Sequence, residues 1–560
     1  MRSGRKRNNS GERPGTSPRR SSPARRTLSW LVAGAALLPV RVASGQGPVA
    51  PATDPSPPFD VLLRGGMVVD GTGAPGFRAD VAMRGDRIVL ISRAPLDSAR
   101  ATTVLDASGL VVAPGFIDLH AHVEELERFP YAENFLRQGV TTVVYAPDGR
   151  MPWPLATYAS RLTAAGHAPN VAFFAGHATI RELVLGGAAR APGARELERM
   201  KALVAQAMQE GAVGLSTGLR YVPGAYAHTE EIVELARVVG GYGGVYASHI
   251  RDEGPGTVEA VAELIEVARA AGVPAHVSHH KLIGRAQWGQ SARTLALVDS
   301  ARAAGLDITL DQYPYTAMAT STAILFPSWA LEGGTRSLRA RLSDPARRRR
   351  IAEAIRETLV REQGAEDLHW IQLSRVRFRP SWQGRTFEDI ARQRRREPDL
   401  DFAVEFAIEL QAQGGAGAIW HVAHEEDVRR IMRHPWTMFA SDGSLVAPGR
   451  GHPHPRSYGA FPRVLARYVR EEDVLELEQA VRKMTSLPAW RIGQRERGRI
   501  AEGVLADVVV FDAGAVQDRG TFDEPHRYPE GIRHVLVNGT PVVRDGRLTG
   551  ARPGRVLRRE

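Results

Sequence analysis

Eight short apolar runs, each ending in polar or glycine residues, constrain the fold of this 560-residue chain more than any other feature. They are GFIDLHAH (115–122), TTVVYAPDG (141–149), NVAFFAGH (170–177), AVGLSTGL (212–219), GVYASHI (244–250), PAHVSHHK (274–281), LDITLDQYPY (306–315) and WTMFASDG (436–443). Most are separated by a helical pattern, of which TVEAVAELIEVARAAG (257–272) is the clearest. Strand-like units alternating with helices predict an α/β fold built on a TIM-like (β/α)8 barrel. A doubly wound open sheet is the alternative, but it calls for a glycine-rich phosphate turn near the first strand, and none is present.

The rhythm breaks after the seventh run. Residues 330–415 read as a helical insertion, with Asp344 as N-cap and Pro345 at the first helical position of DPARRRRIAEAIRETLVREQ. The Arg347–Arg350 run is a solvated helix face rather than a phosphate patch, because Glu353, Glu357, Glu362 and Glu366 interleave with it. On both sides of the barrel pattern lie β-rich runs punctuated by Gly and Asp, such as DVLLRGGMVVDGTG (60–73) and GRIAEGVLADVVVFD (498–512). These predict a small β-sandwich assembled from both chain ends: 59–113 and 491–560, with the barrel at 114–490.

The net charge of +11 suggests nucleic acid until its location is read. Nine of those charges fall in residues 1–46, so the rest of the chain is near neutral and no nucleic-acid partner is expected. That leader has the order of an export signal: a basic n-region ending at Arg25-Arg26, the apolar LSWLVAGAALLPV (28–40), and small residues Ala43, Ser44 and Gly45. Thirteen apolar residues are too few to span a bilayer, and no later segment approaches that length. The expectation is an exported protein, periplasmic or secreted, with a twin-arginine-like signal, a linker at 47–58 and no integral membrane segment in the mature chain.

Candidate chemistry falls at the carboxyl ends of the runs, where an α/β barrel places its site. His120 and His122 share one strand face and can converge on one ion, and Asp118 lies on that face too. His249 ends the fifth run and His279 the sixth, and neutral imidazoles on adjacent strands suit zinc. One such histidine reads best as a hydrogen-bonded core residue; four at strand ends do not. Asp442 is placed to move a proton between a metal-activated water and a leaving amine, its rival role being a turn residue before Gly443. Asp148 has the same two readings, as an oxygen ligand or a turn residue. Lys281 and Arg456 suit a substrate anion, and Tyr313 and Tyr315, read as sharing one strand face, suit an oxyanion. His177, His421, His424, His452 and His454 read as supporting or loop residues. The chain has no cysteine, which excludes thiolate ligands and a thiol nucleophile.

From about residue 59 to 548 the chain resembles the metal-dependent amidohydrolase superfamily, and within it the D-aminoacylases (N-acyl-D-amino-acid deacylases). PGFIDLHAH, GVTTVV, STGLRYVPG, YASHIRDEG, VSHHK, DQYPYTA, SDGS, HPRSYGAFPRVLARYV, MTSLPAWRIG and GRIAEGVLADVVVFD carry the resemblance in family order. The resemblance implies one or two zinc ions, with His120 and His122 as first-strand ligands, His249 and His279 holding the tightly bound ion, and Asp442 as catalytic aspartate. Lys281, Arg456 and a tyrosine of DQYPY match positions that bind the substrate's carboxylate and carbonyl. One position departs: the family's cysteine ligand after the second strand is replaced by Asp148, within Ala146-Pro147-Asp148-Gly149. The expected reaction is deacylation of a small N-acylated D-amino acid. The alternatives are a cyclic-amide hydrolase of hydantoinase or dihydroorotase type, a dipeptide hydrolase, and a binding protein that has lost catalysis. The cyclic-amide type usually carries a bridging lysine on the fourth strand, and VGLSTGL has none.

Overall fold

The structure, a computed structural model, describes residues 58–363 and 367–560. The leader and most of the linker lie outside the described residues. Five strands open the fold: β1 (Phe59–Val68), β2 (Phe77–Arg84), β3 (Arg87–Ser92), β4 (Ala101–Asp106) and β5 (Val111–Pro114). The first half of β1 pairs with β4 and its last residues pair with β5. The break falls at Gly65, whose φ of +74° suits glycine, beside a register shift between Leu63 and Gly66.

The eight runs form a closed parallel barrel. The first run gives β6 (Phe116–Asp118) and β7 (Ala121–His122), the second β8 (Val140–Tyr145), and the third β9 (Asn170–Phe173) and β10 (Ala175–Gly176). Then come β11 (Gly214–Gly218), β12 (Val245–His249), β13 (Ala275–Val277) and β14 (Ile308–Gln312). After the insertion, the eighth run gives β18 (Thr437–Phe439) and β19 (Gly443–Ser444). Parallel pairings link β6 to β8, β8 to β9, and β10 through β11, β12, β13 and β14 to β18. The pairing of β19 with β7 closes the ring. Strands covered on both faces need apolar residues throughout, and VYASH of β12 is buried at every position. The helix Thr257–Ala271 turns Val261, Leu264, Ile265 and Ala268 inward and ends at Gly272 in the left-handed conformation.

Strands β20 (Val508–Phe511), β21 (Ile532–Val537), β22 (Thr540–Arg544) and β23 (Arg547–Leu548) return to the opening strands. Pairing of β20 with β5 joins both chain ends in one nine-stranded sheet. Its buried face includes Leu63, Val81, Val112, Val508 and Leu536. The last residues, grouped with this sheet in the sequence reading, leave it for the barrel: Leu557 N donates to Val171 O at 2.8 Å, and Val171 N to Arg555 O at 2.9 Å.

The insertion is not wholly helical. Helices Pro345–Thr358 and Leu400–Ala412 are joined by Arg348–Glu405 and Arg356–Asp401 ion pairs, and Asp344 caps the first as expected. A strand, β16 (Ile371–Arg375), accompanies them. With β15 (Ala317–Ser321) and β17 (Gly417–His421) it forms a three-stranded antiparallel sheet. The sequence signal for it was weak, because the apolar–polar alternation of IQLS spans only four residues. Among the described residues no helix is long and apolar enough to cross a membrane.

Candidate metal centre

The ends of the strands bring five residues from four runs to one point at the barrel's C-terminal mouth. Asp148 lies at their centre. Its Oδ1 is 3.5 Å from His120 Nε2, 3.7 Å from His279 Nε2 and 4.0 Å from His249 Nδ1, and its Oδ2 is 3.6 Å from His122 Nε2. Asp442 Oδ1 stands 3.1 Å from His122 Nε2 and 3.5 Å from His120 Nε2. Ligand atoms at the corners of a zinc tetrahedron with bonds of 2.0–2.1 Å are about 3.3 Å apart. The spacings around Asp148 suit a shared cation better than direct hydrogen bonding, while His122 and Asp442 are also within hydrogen-bond distance of each other. Three groups bring their ligand atoms within 4.8 Å of one another: His120, His122 and Asp148; Asp148, His249 and His279; and His120, His279 and Asp442.

The donors are also left open. His120 Nε2 and Asp148 Oδ1 are buried without a hydrogen-bond partner, and the His249 nitrogen that faces them, Nδ1, has only His279 Nε2 beside it at 2.8 Å. Such atoms cost free energy unless something binds them. Burial drives the His249 imidazole down to about 3, keeping it in the neutral form that ligates metal. Burial opposes ionisation of Asp148, but His120, His279 and His249 outweigh it and hold the carboxyl well below the usual range. The residues present therefore fit a zinc site of nitrogen and oxygen ligands.

Local backbone geometry aims these groups. His279 and Asp442 lie in the left-handed region, at φ of 36° and 48°, where non-glycine residues are uncommon. Asp442 N donates to His120 O at 2.9 Å, and His279 N to Asp311 Oδ1. Asp118, on the expected histidine face, orients rather than ligates: its carboxylate accepts from His120 N and from Ser441 N and Oγ. His280 turns away, with Nε2 2.8 Å from Thr294 Oγ1.

Lys281 reaches the cavity, but its Nζ is held by Glu253 and by His279 Nδ1 at 3.0 Å. Arg456 Nη1 pairs with Asp442 Oδ2 at 2.8 Å, and Arg456 N donates to His454 Nδ1. Tyr313 lies 4.6 Å beneath the Arg456 guanidinium, its hydroxyl buried without a protein partner. Tyr315 does not join it. The strand ends at Gln312 and Pro314 intervenes, so strand alternation no longer applies; Tyr315 packs on His454 and Phe522, with Arg463 over its ring. The remaining histidines lie apart from the cluster: His177 binds buried Glu231, His424 caps a helix, His421 packs on Phe522, and His452 Nε2 meets Phe522 O.

Sequence reasoning missed Glu253. It follows His249 by one helical turn's spacing, is buried, and pairs with Lys281 and His279 Nδ1. Its carboxyl is held well below the usual range: burial opposes ionisation, but Lys281, His249 and His279 outweigh it. A buried lysine beside a histidine needs such a partner, which is the signal that would have found it. Tyr221, its ring tilted against His249 at 4.6 Å, and Glu124, 3.3 Å from His122 Nδ1, were missed too.

Two lobes open from the cluster and share His122, Glu124, Asp148 and Tyr221. One, of about 1030 Å3, runs under β15 and past Arg375, Arg377, Arg450 and Arg456. The other, of about 840 Å3, runs past Arg220, Ile324, Phe326 and Leu331 toward the insertion. There Glu362 reaches down to Arg220 at 2.8 Å.

Comparison with known proteins agrees with this geometry. Residues 103–543 match the model of the amidohydrolase family. The N-acyl-D-glutamate deacylase of Alcaligenes xylosoxydans xylosoxydans is 39% identical, covering 90% of this chain and 97% of the relative. A solved D-aminoacylase superposes with a TM-score of 0.76 at 37% identity, covering 90% of this chain and all of the other, 100%. The N-acyl-D-glutamate deacylase of Bordetella bronchiseptica, solved with zinc and a phosphonate mimic of the tetrahedral intermediate, gives 0.75 at 36% identity, over 89% of this chain and 99% of the other. Fold, ligand-bearing strand ends and relatives agree: this chain belongs to the amidohydrolase family.

Proposed function

We propose that this chain is a zinc-dependent deacylase of N-acyl-D-amino acids, exported from the cytoplasm. The observation that carries the reading is the convergence of His120, His122, His249 and His279 on Asp148, with Asp442 and its Arg456 partner at the edge of the same cluster. His120, His122, Asp148, His249 and His279 would hold zinc, which when bound would supply a Lewis acid for an acyl carbonyl and for lowering the pKa of water. The D-configuration is supported by the names of the relatives, all with the same barrel and β-sheet.

Asp442 accepts the proton of the attacking water on the carboxylate that faces the histidines. It returns that proton to the departing amine nitrogen, so that the products are a carboxylate and a free D-amino acid. Burial opposes ionisation of Asp442, yet Arg456, His120 and His279 outweigh it and hold the group well below the usual range, in the form that can take a proton. Arg456 and Lys281 face the lobe beside the cluster and orient the substrate's α-carboxylate. Tyr313, with its free hydroxyl close to Arg456, donates to the same substrate end or to the carbonyl oxygen.

The test is metal analysis combined with an activity screen on N-acetyl-D- and L-amino acids, dipeptides and hydantoins. Turnover of the D-substrates with bound zinc is expected. Turnover confined to hydantoins or to L-substrates sinks the reading. Export rests on the order of the leader, residues 1–46. Cell fractionation of the full chain and of an Arg25→Lys/Arg26→Lys variant checks it, with retention of the variant inside the cell expected for a twin-arginine route.

A further inference from the structure

One carboxylate stands behind the histidines of both the fifth and the sixth runs. His249 Nδ1 and His279 Nε2 approach each other to 2.8 Å, and both of these atoms look toward Asp148 Oδ1. Their outer nitrogens look the other way, toward Glu253. Its Oε1 is 3.1 Å from His279 Nδ1 and its Oε2 is 3.7 Å from His249 Nε2. The backbone fixes this placement. Glu253 O accepts from Ile283 N at 2.8 Å, tying the loop after β12 to the loop after β13. Asp252 Oδ1 accepts from Gly254 N at 2.7 Å and turns the chain there.

The outer side of His279 is contested. Lys281 Nζ lies 3.0 Å from His279 Nδ1 and 3.0 Å from His279 O. An ammonium has only protons to give, so it asks Nδ1 to accept; a carboxylate asks Nδ1 to donate. A neutral imidazole carries one proton. If Nδ1 accepts from Lys281, that proton sits on Nε2 and closes the nitrogen that faces Asp148. If Nδ1 donates to Glu253, Nε2 keeps its lone pair for a metal ion. Glu253 Oε1 also accepts from Lys281 Nζ, which draws the ammonium protons away from the ring. Among the described residues no other carboxylate lies within ion-pair distance of Lys281.

We infer that Glu253 is a positioning residue with two tasks. It sets His279 to present Nε2 to zinc, and it holds Lys281 for the substrate's α-carboxylate without letting the ammonium claim the ring. The second task rests on the deacylase reading; the first rests on the ligand geometry alone.

The experiment strips the full chain of metal and measures zinc affinity by chelator competition in wild type, Glu253→Gln, Lys281→Met and the two combined. In Glu253→Gln the amide oxygen turns to Lys281 and the amide NH2 faces Nδ1, so both neighbours of that nitrogen are donors. Zinc affinity should fall roughly ten- to hundredfold. Lys281→Met alone should bind zinc at least as tightly as wild type. Combining the two frees the glutamine oxygen to turn to Nδ1, and most of the lost affinity should return. Wild-type affinity in Glu253→Gln, or a loss that Lys281→Met does not reverse, overturns the first task. Should Glu253→Gln not fold, Glu253→Gln/Lys281→Met is compared with Glu253→Leu/Lys281→Met. Both lack the lysine and only the first offers Nδ1 an acceptor, so it should bind zinc more tightly; equal binding overturns the role. In the zinc-loaded glutamine–methionine variant, kcat for N-acetyl-D-amino acids should recover while KM stays raised, and an unchanged KM overturns the second task. If even zinc-loaded wild type hydrolyses no N-acyl-D-amino acid, the deacylase reading and the second task fall together. The zinc comparison then still decides the first.

Discussion

The two ends of the barrel bury polar groups in opposite ways. At the mouth, His120 Nε2 and Asp148 Oδ1 are buried atoms with no hydrogen-bond partner, turned toward each other within a group of possible metal ligands. At the bottom, where the barrel meets the two-ended sheet, Asp507 accepts from Asn170 Nδ2, Asn538 N and Arg497. Asn538 in turn accepts from Arg497 and donates to Asn170 Oδ1 and Pro553 O, leaving only Arg497 Nε open in this network. A network so nearly closed is architecture: all but one of these groups are satisfied by another part of the chain. An open cluster with matched spacings is a place for a ligand. Burial alone does not separate the two; the accounting of partners does.

The largest expected effect breaks the mouth chemically without touching its structure. Asp442→Asn should lower kcat roughly a hundred- to ten-thousandfold while zinc stoichiometry, read by elemental analysis, stays near wild type. The bottom should respond in the opposite sense. Asp507→Ala leaves Arg497 buried and unpaired and should cost about 3–5 kcal/mol of stability, measured by denaturant unfolding, while turnover per folded molecule at low temperature is preserved.

A smaller effect sharpens the role of the aspartate that stands in the cysteine position. Asp148→Ala should weaken zinc binding by roughly ten- to a hundredfold in chelator competition, the range found for removing even a supporting group. If His249→Ala loses the metal and Asp148→Ala does not, Asp148 is no ligand and the cluster is narrower than its geometry implies.

The smallest is a slope. Lys483, also at the bottom, donates to His434 O and to Thr437 O at 3.0 Å, with burial bringing its ammonium down to about 7. The unfolded chain keeps that proton up to about 10.4, so it binds more protons than the folded chain between these values. Stability from this group therefore rises with pH across that window and is lost as pH falls toward 7, at most about 1.4 kcal/mol per pH unit. Lys483→Met should flatten the unfolding free energy against pH between 7 and 10 by that slope. An unchanged slope would mean that the two carbonyls compensate the buried charge.

Much of the mouth was legible because barrel chemistry gathers at strand ends, and strand ends are visible as apolar runs that stop. His120, His122, His249, His279, Asp148 and Asp442 all fall at such positions, and the fold brings them together. Tyr315 was misplaced because the strand ends at Gln312 and Pro314 follows, so alternation could not carry as far as that residue. Glu253 was missed because it lies in a loop, where no period fixes direction; only the need of buried Lys281 for an acid points to it. The bulge in β16, where Ser374 is the extra residue between Leu373 and Arg375, was invisible for a related reason: an extra residue in one strand is defined by its partner, and β17 lies over forty residues away.

The pairing of β5 with β20 has a consequence for synthesis. Roughly 400 residues separate the two strands, and at about 5–20 residues per second the ribosome needs on the order of 20–80 s to deliver the second after the first. Throughout that interval the apolar edge Val111–Pro114 stands without its β20 neighbour, open to wrong pairing until the chain's own final strands arrive.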